Sequence, residues 1–484
     1  MNDLIDKLKN YVQKFNSMDE ECYFNDIKNA DAFSWMKENI PLIDCPDKEL
    51  EEMYYFRWWV YRKHIKSTPE GYIITEFLPK VPWAKEHNSI NAAVGHHLAE
   101  GRWIKNSKNY LEDYIRFWLN RREKGYIYSM WLVSAVWDYC ELHNEYSIGT
   151  DNLDAFCQYF SYWEKEHLEP CGLFWSIDNN DAMEYSISGY SGSLRGEKGF
   201  RPTLNSYMAA DAFAIAKFAT IAGENEIASK YIEKGNKIRS LIMEKLWDGD
   251  FFKSHYTLDE NGNLSFGKMP EDRDVRELVG YIPWYFNLPQ NGMEKAFSYL
   301  KTKEGFLNDF GMTTAEQSHS KFLYEVDHEC LWNGYIWPFA TSQTLRAMGN
   351  LLHYYNQDTI TKNDFYEMLR KYVKSQNIVY SNGKTRPWID EVIDPRDGQW
   401  SSRNYLQERG WIKGGYERGK DYNHSTFCDI ILNDLLGVKV KNGKLSVNPV
   451  VPDTWKYFKV ENLYVNQKKY RLTYNNGALE ISEE

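Results

Sequence analysis

The chain has 484 residues, which is long enough for two domains or for one large single-core fold. Its formal net charge is -11, and acidic and basic residues are mixed without a basic stripe or a Lys/Arg-rich tail. This distribution speaks against nucleic acid as a partner and against a polybasic membrane anchor.

The N-terminal segment MNDLIDKLKNYVQKFN predicts a helix, because Leu4, Leu8 and Val12 recur at helical spacing. It has neither an uninterrupted apolar core nor a small-residue cleavage site, so it is not typical of a secretory signal. No run of about 18 apolar residues occurs, and we therefore expect no membrane-spanning helix. Seven scattered cysteines without a CxxC pair predict free thiols rather than zinc or disulfides. Together these features predict a cytoplasmic protein.

Amphipathic helical patterns follow one another through most of the chain. The pattern NSYMAADAFAIAKFATIAG, with Asn205 as its candidate cap and Gly223 at its end, leads directly into a second one. Two helices joined by so short a loop predict an antiparallel hairpin. Similar patterns lie near residues 48–66, 88–101, 107–122, 127–145, 151–168, 276–287, 291–301, 334–352, 362–376 and 423–436. About twelve helices beyond the N-terminal one predict an all-α fold, a barrel of six helical hairpins.

Strand patterns are few and lie mostly at the C-terminal end. The segment DFFKSHYTLDENGNLSFG predicts a minor β-hairpin that turns at Asn261 and Gly262. From Val438 onward, alternating residues and Asn-Gly turns predict a small antiparallel β segment. We therefore expect a helical-barrel domain at residues 1–437 and a C-terminal β segment at residues 438–484 that packs on it.

Four stretches break the helical periodicity and bring charged residues, amides, His and Trp together. In a helical barrel such stretches are expected at the rim, where loops meet around one end of a central cavity. Aromatic residues make up 16% of the chain, and many stand beside charged residues. Such pairs suit sugars, which have apolar faces and hydroxyl rims, although for any single ring a core position with one wet end is the more typical explanation. The stretches are Glu76–Trp103, Gly172–Gly189 with the following RPTLNSYM, LWNGYIWPFATSQ, and RPWIDEVIDPRDGQW with GKDYNHSTF.

The segment GLFWSIDNNDAMEYSISG places Asp178, Asp181 and Glu184 close to Phe174 and Trp175. Burial among such rings raises the pKa of a carboxyl, which then stays protonated near neutral pH. Cleavage of a glycosidic bond needs one protonated carboxyl as proton donor and one carboxylate on the opposite side. The segment therefore supplies candidates for the proton donor.

Three motifs, taken in order, resemble a known group of enzymes. WNGYIWP resembles the WxGxxWP motif of glycoside hydrolase family 63 and its relatives, which include mannosylglycerate hydrolases and trehalases. RPTLNSYMAADAFAIAKFA is similar to the helix that follows the catalytic acid in that group. WIDEVIDPRDGQW with YNHSTFCDIIL is similar to the segment that carries the catalytic base. The resemblance covers roughly residues 50–455 and implies an (α/α)6 barrel and an inverting glycosidase with two carboxylates.

One departure concerns the acid. Relatives usually place it in an SGxD pattern, whereas SIDNNDAMEYS has no glycine before either aspartate, so Asp178 and Asp181 compete for the role. Asp181 is favoured as general acid because it lies closer to RPTLNSYM, while Asp178 then binds sugar hydroxyls or tunes the pKa of the acid. Glu184 is a third candidate. Glu391, beside Trp388 and other acids, is expected to be the general base.

Further polar and aromatic residues of the four stretches are candidates for substrate binding. For several of them a structural role is an equal alternative, such as helix capping by Asn88 or holding of a loop by Arg201 and Asn205. The candidates are Asp178, Glu184, Trp83, His87, Asn88, Arg102, Trp103, Arg201, Asn205, Trp332, Gly334, Trp337, Tyr422 and His424.

Neither a metal nor another cofactor is expected, because the chain has no HExxH and no clustered Asp/His spacing. The glycine-spaced YSGSLRGEKG lacks the ending of a phosphate-binding loop and predicts a mobile flap over the pocket.

The sequence thus predicts an inverting glycoside hydrolase that acts on a small glucoside- or mannoside-type oligosaccharide or glycosylated metabolite. One rival is a sugar epimerase or isomerase on the same barrel, with His96, His328 and His424 as candidates for proton transfer. The other rival is a non-catalytic sugar-binding protein. The sequence does not indicate the oligomeric state.

Overall fold

The structure is a computed structural model that describes residues 3–121, 125–189, 192, 196–380, 382–410 and 412–484. Most of the described chain is helical. The α-helices are α1 Asp3–Ser17, α2 Ala32–Asn39, α3 Lys48–Tyr61, α4 Val94–Gly101, α5 Lys108–Leu119, α6 Val133–His143, α7 Ser147–Thr150, α8 Leu153–His167, α9 Pro202–Ala222, α10 Asn225–Leu241, α11 Ile282–Tyr285, α12 Pro338–Tyr354, α13 Lys362–Ser375 and α14 Ser401–Glu408.

Shorter helical turns and strands connect these helices. Single turns or short runs of 3₁₀ helix lie at Asn29–Asp31, Arg62–His64, Glu86–Asn88, Asn179–Asp181, Leu278–Tyr281 and Glu294–Lys301, and π-helical turns at Ile242–Leu246 and Ile430–Leu435. The strands are β1 Leu42–Asp44, β2 Ile65–Thr68, β3 Gly71–Ile74, β4 Trp175–Ser176, β5 Gly199–Phe200, β6 Thr257–Leu258, β7 Leu264–Ser265, β8 Leu307–Asn308, β9 Gly311–Met312, β10 Asn377–Val379, β11 Thr385–Pro387, β12 Val438–Lys441, β13 Lys444–Val447, β14 Tyr457–Val465, β15 Lys468–Asn475 and β16 Ala478–Glu483.

Six helical segments form an inner ring. In chain order they are α4, α6, α9, α11, α12 and the π-helical turn Ile430–Leu435, and each packs against the next. The ring closes between its last and first members, because the carboxylate of Glu100 in α4 accepts backbone N–H groups of Phe427, Cys428 and Asp429. Helix α9 is apolar around nearly its whole circumference, as expected of a helix enclosed on all sides.

An outer layer pairs with this ring, one helical segment before each inner one. It consists of α3, α5, α8, α10, the 3₁₀ segment Glu294–Lys301 and α13, and α13 packs against α3 to complete the circuit. Helices α10 and α13 bury one face only, as outer helices do. The six outer–inner hairpins make an (α/α)6 barrel, which confirms the predicted fold class.

Aromatic rings block the middle of the barrel. His96 of α4 lies 4.9 Å from the ring of Trp131 and 4.6 Å from that of Phe339, and Trp131 lies 4.9 Å from Tyr207. We call His96, Trp131, Tyr207 and Phe339 the central plug. All four are buried, so the plug is packed inside the barrel.

Several boundaries differ from the predicted ones. Helix α9 begins at Pro202 rather than near Asn205, because proline fits the first helical position, where no N–H is needed. The pattern at 276–287 is a 3₁₀ turn followed by the short α11, and the pattern at 423–436 becomes helical only at residue 428. Helices α2 and α14 were not predicted.

The two predicted β regions are present, and strand β1 and the short pairs β2-β3, β4-β5, β8-β9 and β10-β11 add to them. The hairpin predicted at Asn261 and Gly262 is β6 and β7, and β12–β16 form the C-terminal antiparallel segment. The four-stranded sheet in the order β1-β14-β15-β16 takes its first strand from the N-terminal part, with Ile43 opposite Val460. The segment 438–484 is therefore joined by hydrogen bonds to residues before the barrel. Among the residues described, no helix combines the length and apolarity needed to cross a bilayer.

Candidate active site

One end of the barrel gathers the loops that precede the inner helices. Helices α9 and α12 both begin with proline, at Pro202 and Pro338. The acid-bearing loop 172–189 leads into α9, and WNGYIWP leads into α12. Because consecutive inner helices of such a barrel run in the same direction, both segments lie at the same end, which we call the carboxylate end.

Three glutamates from different loops interact at the carboxylate end. Burial raises the pKa of Glu76 to about 8, and the negative charges of Glu391 and Glu184 act in the same direction. Burial also raises the pKa of Glu184 to about 8, with further contributions from Asp178, Glu391 and Glu329. The charge of Glu391 thus acts on the pKa of both Glu76 and Glu184, so the loops bring together acids that are hundreds of residues apart in sequence.

Arg418 forms a bidentate ion pair with Glu391. Its Nε lies 2.8 Å from Oε1 of Glu391 and its Nη2 lies 2.9 Å from Oε2. The guanidinium also donates to Glu329 at 3.1 Å and lies 4.9 Å from the centre of the Trp83 ring. Such a pair fixes the carboxylate in one orientation. Oε2 of Glu391 also accepts a contact from the Cys330 thiol at 3.6 Å, whereas Oε1 keeps a lone pair that can accept a hydrogen bond from water.

The acids of the loop 172–189 have different surroundings. Asp178 is buried and accepts hydrogen bonds from the backbone of Asn179 at 2.8 Å and from Ser186. Burial raises its pKa to about 7. Glu184 is only partly buried, and its side chain accepts a 3.4 Å hydrogen bond from Nδ2 of Asn179. Glu184 is therefore the least constrained acid of this loop.

Asp181 is enclosed on every side. Its Oδ2 lies 2.6 Å from Nε of Arg201, and its carboxylate also accepts hydrogen bonds from the hydroxyls of Ser129 and Thr203. The side chains of both Asp181 and Arg201 have 0% exposed surface. Arg201 further donates to the hydroxyl of Tyr256 at 2.8 Å. The pair holds the acid loop against the start of α9.

Aromatic and polar groups lie beneath the glutamates. The rings of Trp332 and Trp337 stack 4.5 Å apart, and the His424 ring stacks on Tyr422 at 3.7 Å. The Tyr422 hydroxyl donates a hydrogen bond to Glu76. Within the described part of the chain, four buried atoms here have no hydrogen-bond partner. They are Oε2 of Glu76, Nε1 of Trp332, and Nδ1 and Nε2 of His424. Buried polar atoms are normally satisfied, so these atoms are suited to a hydroxylated ligand or to water.

Other predicted residues lie away from this cluster. The exposed His87 pairs with Glu70 at 3.4 Å, and Arg102 and Trp103 donate to Asp429 below the central plug. These placements disfavour contact with a sugar at the carboxylate end.

A second group has a bracing role in the structure. The Asn88 side chain bonds to three backbone groups between residues 77 and 81, and Asn205 bonds to both backbone groups of Phe174. Gly334 has a φ of +129°, and a Cβ there would lie 2.4 Å from the Phe322 ring. Half of the predicted flap, residues 190–199, lies outside the described residues, since only positions 192 and 196–199 of it are described.

Sequence reasoning did not single out Glu76, Glu329 or Arg418. Glu76 is the first residue of one of the four rim stretches, and Arg418 immediately precedes GKDYNHSTF, so position within a rim segment was the available signal. Across the residues described, one group has metal-binding atoms within 4.8 Å of one another, namely His328, Glu329 and Cys330. Lys413 and Arg418 already pair with Glu329, and these cations occupy the side that a metal ion would need.

A helical barrel with clustered carboxylates at one mouth is the architecture of (α/α)6 glycosidases. A family model described as the mannosylglycerate hydrolase MGH1-like glycoside hydrolase domain matches residues 86–425. The chain belongs to this glycoside hydrolase family.

Solved structures share the fold. One titled sialidase has a TM-score of 0.87 and 33% identity, covering 99% of this chain and 43% of that chain. The GH63 mannosylglycerate hydrolase from Thermus thermophilus, in complex with glucose, has a TM-score of 0.53 and 10% identity over 78% of this chain and 98% of its own. A GH78 rhamnosidase of Bacillus sp. GL1 has a TM-score of 0.57 and 10% identity over 92% of this chain and 42% of its own.

A curated protein of Borreliella burgdorferi, described as uncharacterized, is 25% identical over 151 residues, which are 31% of this chain and 28% of that protein. The chain thus spans less than half the length of both this relative and the sialidase.

Proposed function

We propose that this chain hydrolyses the glycosidic bond of a small glucoside or mannoside with inversion of configuration. The observation that carries the proposal is the pairing of Glu184, whose raised pKa keeps it protonated, with Glu391, whose charge Arg418 balances. One protonated and one ionised carboxyl are what this reaction requires. Family membership supports the class of reaction.

Glu391 is the proposed base. Because Arg418 binds both of its oxygens, the carboxylate is held in one orientation while a lone pair remains for the attacking water. In an inverting reaction the base removes a proton from water as the water oxygen attacks the anomeric carbon. The acid meanwhile gives its proton to the leaving oxygen.

For the acid, the contacts favour Glu184. Asp181, the sequence's first choice, is closed off by its ion pair with Arg201, which fits a positioning role. Asp178 has a pKa raised to about 7, but it is buried under its hydrogen bonds from Ser186 and Asn179. Glu184 is partly exposed, senses the charge of Glu391 and has one weak hydrogen bond, so its proton is free to be donated.

The unsatisfied groups support a sugar as the ligand. Trp332 Nε1 and the ring nitrogens of His424 lie beside the stacked Trp332 and Trp337 rings, which combines hydrogen-bonding groups with an apolar face. Glucose is the ligand named for the Thermus structure, and a hexose is the size class that we propose here.

The histidine arrangement gives little support to the isomerase rival. Burial lowers the pKa of His96 and of His424 well below the usual value, so both are neutral. His96 belongs to the central plug and packs against Phe339. His328 instead contacts Lys413 at the rim, so the three histidines do not form one proton-transfer group.

A panel of α- and β-linked nitrophenyl glucosides, mannosides and rhamnosides tests the proposal. Product release by mass spectrometry separates hydrolysis from isomerisation, which leaves the mass unchanged, and proton NMR of the first-formed sugar reports inversion. Retention of the anomeric configuration, or an absence of turnover across the panel, would contradict it.

We predict that Glu184→Gln and Glu391→Gln each lower kcat by about 10²–10⁴-fold, the size of a general acid or base contribution. Glu260→Gln, at an exposed position of the β6–β7 hairpin, is the matched control and leaves kcat unchanged. Asp178→Asn decides between the two loop acids with raised pKa. If Asp178→Asn abolishes turnover while Glu184→Gln lowers kcat only slightly, Asp178 is the acid.

A further inference from the structure

A cavity lies at the end of the barrel opposite the carboxylates. Its volume is about 570 Å³, within the range of small-molecule sites. It is lined by residues from the C-terminal halves of α9 and α12, whereas the carboxylates gather near the N-terminal ends of these helices. The central plug lies between the two ends. We call this space the far cavity.

The floor of the far cavity is aromatic. Trp131, the plug residue that faces it, lies 5.5 Å from the ring of Tyr285 and 6.3 Å from that of Phe286. Toward solvent the cavity is bounded by Tyr354, which is 58% exposed, and by Asp138, whose side chain is 61% exposed. A small molecule can therefore enter from solvent and lie against several ring faces.

Two arginines in the wall are fixed by buried carboxylates. Nη2 of Arg102 lies 2.7 Å from Oδ1 of Asp429, and Nε of Arg346 lies 3.2 Å from Oδ2 of Asp434. Arg346 also pairs with Asp429. Guanidinium groups held in this way present their remaining N–H groups in fixed directions, which lowers the entropy cost of binding.

The wall also contains polar atoms that lack hydrogen-bond partners. Within the described part of the chain, Oγ of Ser134 and Nζ of Lys439 are buried and make no hydrogen bond of ordinary length and angle, although Ser134 lies beside Asp211 and Lys439 beside Asp434. The Lys439 ammonium lies 3.6 Å from Asp434 and 5.5 Å from the centre of the Tyr354 ring. A ligand with hydroxyl groups would satisfy both atoms.

The charges favour a neutral ligand. The cavity contains the bases Arg102, Lys217, Arg346 and Lys439 and the acids Asp138 and Glu141, while Asp429 and Asp434 lie directly behind the arginines. Positive and negative groups are therefore equal in number. Ring faces, fixed planar donors and no net charge are the combination that a sugar ring needs.

We propose that the far cavity is a second saccharide-binding site, separate from the carboxylate end and built to hold a neutral sugar. This site does not depend on hydrolysis at the carboxylate end, because none of Glu76, Glu184 and Glu391 lines the far cavity.

Equilibrium binding to the Glu391→Gln variant, which retains substrate sites without turnover, tests this proposal. D-Glucose, D-mannose and maltose are titrated by isothermal calorimetry, and ligand-observed NMR reports weak binding. We expect two equivalents of at least one of these sugars. Adding Ala99→Trp, which fills the far cavity, removes one equivalent, and Tyr354→Ala weakens that site by up to about tenfold. Tyr380→Ala, at another exposed tyrosine, leaves both sites unchanged.

The remaining outcomes are decisive as well. A single equivalent that persists in Ala99→Trp but disappears in Trp83→Ala would place all binding at the carboxylate end and overturn the proposal. Binding of inorganic phosphate but of none of the sugars would also overturn it. If instead the proposed hydrolysis fails, the far site still binds one equivalent, and Ala99→Trp still removes it. Circular dichroism melting of each variant verifies that it is folded.

Discussion

The side chains of Asp181 and Arg201 form an ion pair, and both have 0% exposed surface. Neither charge has water to stabilise it, so each depends on the other and on the hydroxyls of Ser129, Thr203 and Tyr256. The sequence alone favours Asp181 as a proton donor, because it is an acid that lies among aromatic residues. A buried carboxylate can equally form an ion pair that joins two segments of the chain. Only the position of Arg201 distinguishes this structural role from that of a proton donor.

Asp181→Asn tests which role Asp181 plays. Removing one partner of a buried ion pair leaves the other uncompensated, so we expect a loss of about 3–5 kcal/mol in the free energy of unfolding, measured in urea. Asp178→Asn is the control, because Asp178 has no such ion pair and we expect a smaller loss. A fully stable Asp181→Asn protein without turnover would instead support the general acid that the sequence predicted.

The pKa of Glu184 predicts the alkaline limb of activity. Glu184 donates a proton only in its protonated form, and its pKa is raised to about 8, so kcat/KM falls as the pH rises through that value. The Glu184→Gln variant keeps little activity and loses this limb. A profile of kcat/KM from pH 5 to 10 measures this alkaline limb. The pKa of Glu76 is also about 8, so a Glu76→Gln variant is the control. If that variant is partly active and keeps the limb, the limb is due to Glu184 and not to Glu76.

Burial of Glu76 has a consequence for stability as well. Its pKa rises from 4.5 to about 8 on folding, so the folded protein binds more protons than the unfolded chain between these values. Stability is therefore fully retained at low pH and falls as the pH rises toward 8. We expect Glu76→Gln to flatten this decline in the melting temperature, measured from pH 5 to 9. An equally steep decline in the variant would contradict the prediction.

Among the secondary-structure elements, long amphipathic helices were predictable and irregular ones were not. The pattern of α10, apolar on one face, identifies an outer helix, and the Asn-Gly pair at 261 and 262 identifies a hairpin. The stretch 423–429 was predicted as helix, but the helix begins only at residue 428, where the carboxylate of Glu100 accepts the N–H groups of residues 427–429. Such a long-range contact is not encoded in local periodicity.

The same limit applies to the candidate site. Rim position identified the loops that carry Glu184, Glu391 and Trp332, because aperiodic stretches with mixed polar and aromatic residues are typical of such sites. Arg102 and Trp103 belong to the same aperiodic stretch, but the helix α4 that precedes them carries them to the other end of the barrel. Sequence spacing does not say at which end of a short inner helix a residue is located.

Helix α4 tolerates no side chain at Gly95. A Cβ there would lie 1.9 Å from the ring of Trp131, so the helix can approach the central plug only through glycine. We expect Gly95→Ala to lower the free energy of unfolding by about 1–3 kcal/mol, the usual cost of overpacking. Gly267→Ala, where a Cβ would meet no atom within 4 Å, is the control. Equal stability of the two variants in urea would show that the plug can move aside.

For the whole molecule, the C-terminal sheet joins the two ends of the chain. Strand β14 pairs with β1 near the N-terminus and buries Phe458, Val460, Leu463 and Val465 at 0–1% exposure. Strand β16, at the outer edge, has no buried residue in its pattern. The strands of the sheet therefore differ in burial: the inner strands contribute to the core of the protein, while the last strand mainly covers an edge.

Two truncations test whether the buried and the exposed strands differ in this way in their contribution to stability. Ending the chain after Gly477 removes only β16, and we expect a soluble protein whose urea midpoint changes little. Ending it after Lys456 also removes β14 and β15. Each fully buried side chain of this size contributes about 1.5–3 kcal/mol, so the loss from β14 alone approaches the total stability of an ordinary domain, about 5–15 kcal/mol. We expect the shorter chain to aggregate or to unfold without added denaturant. If it instead remains folded and keeps its ligand binding, the barrel is stable alone and the sheet is an independent addition.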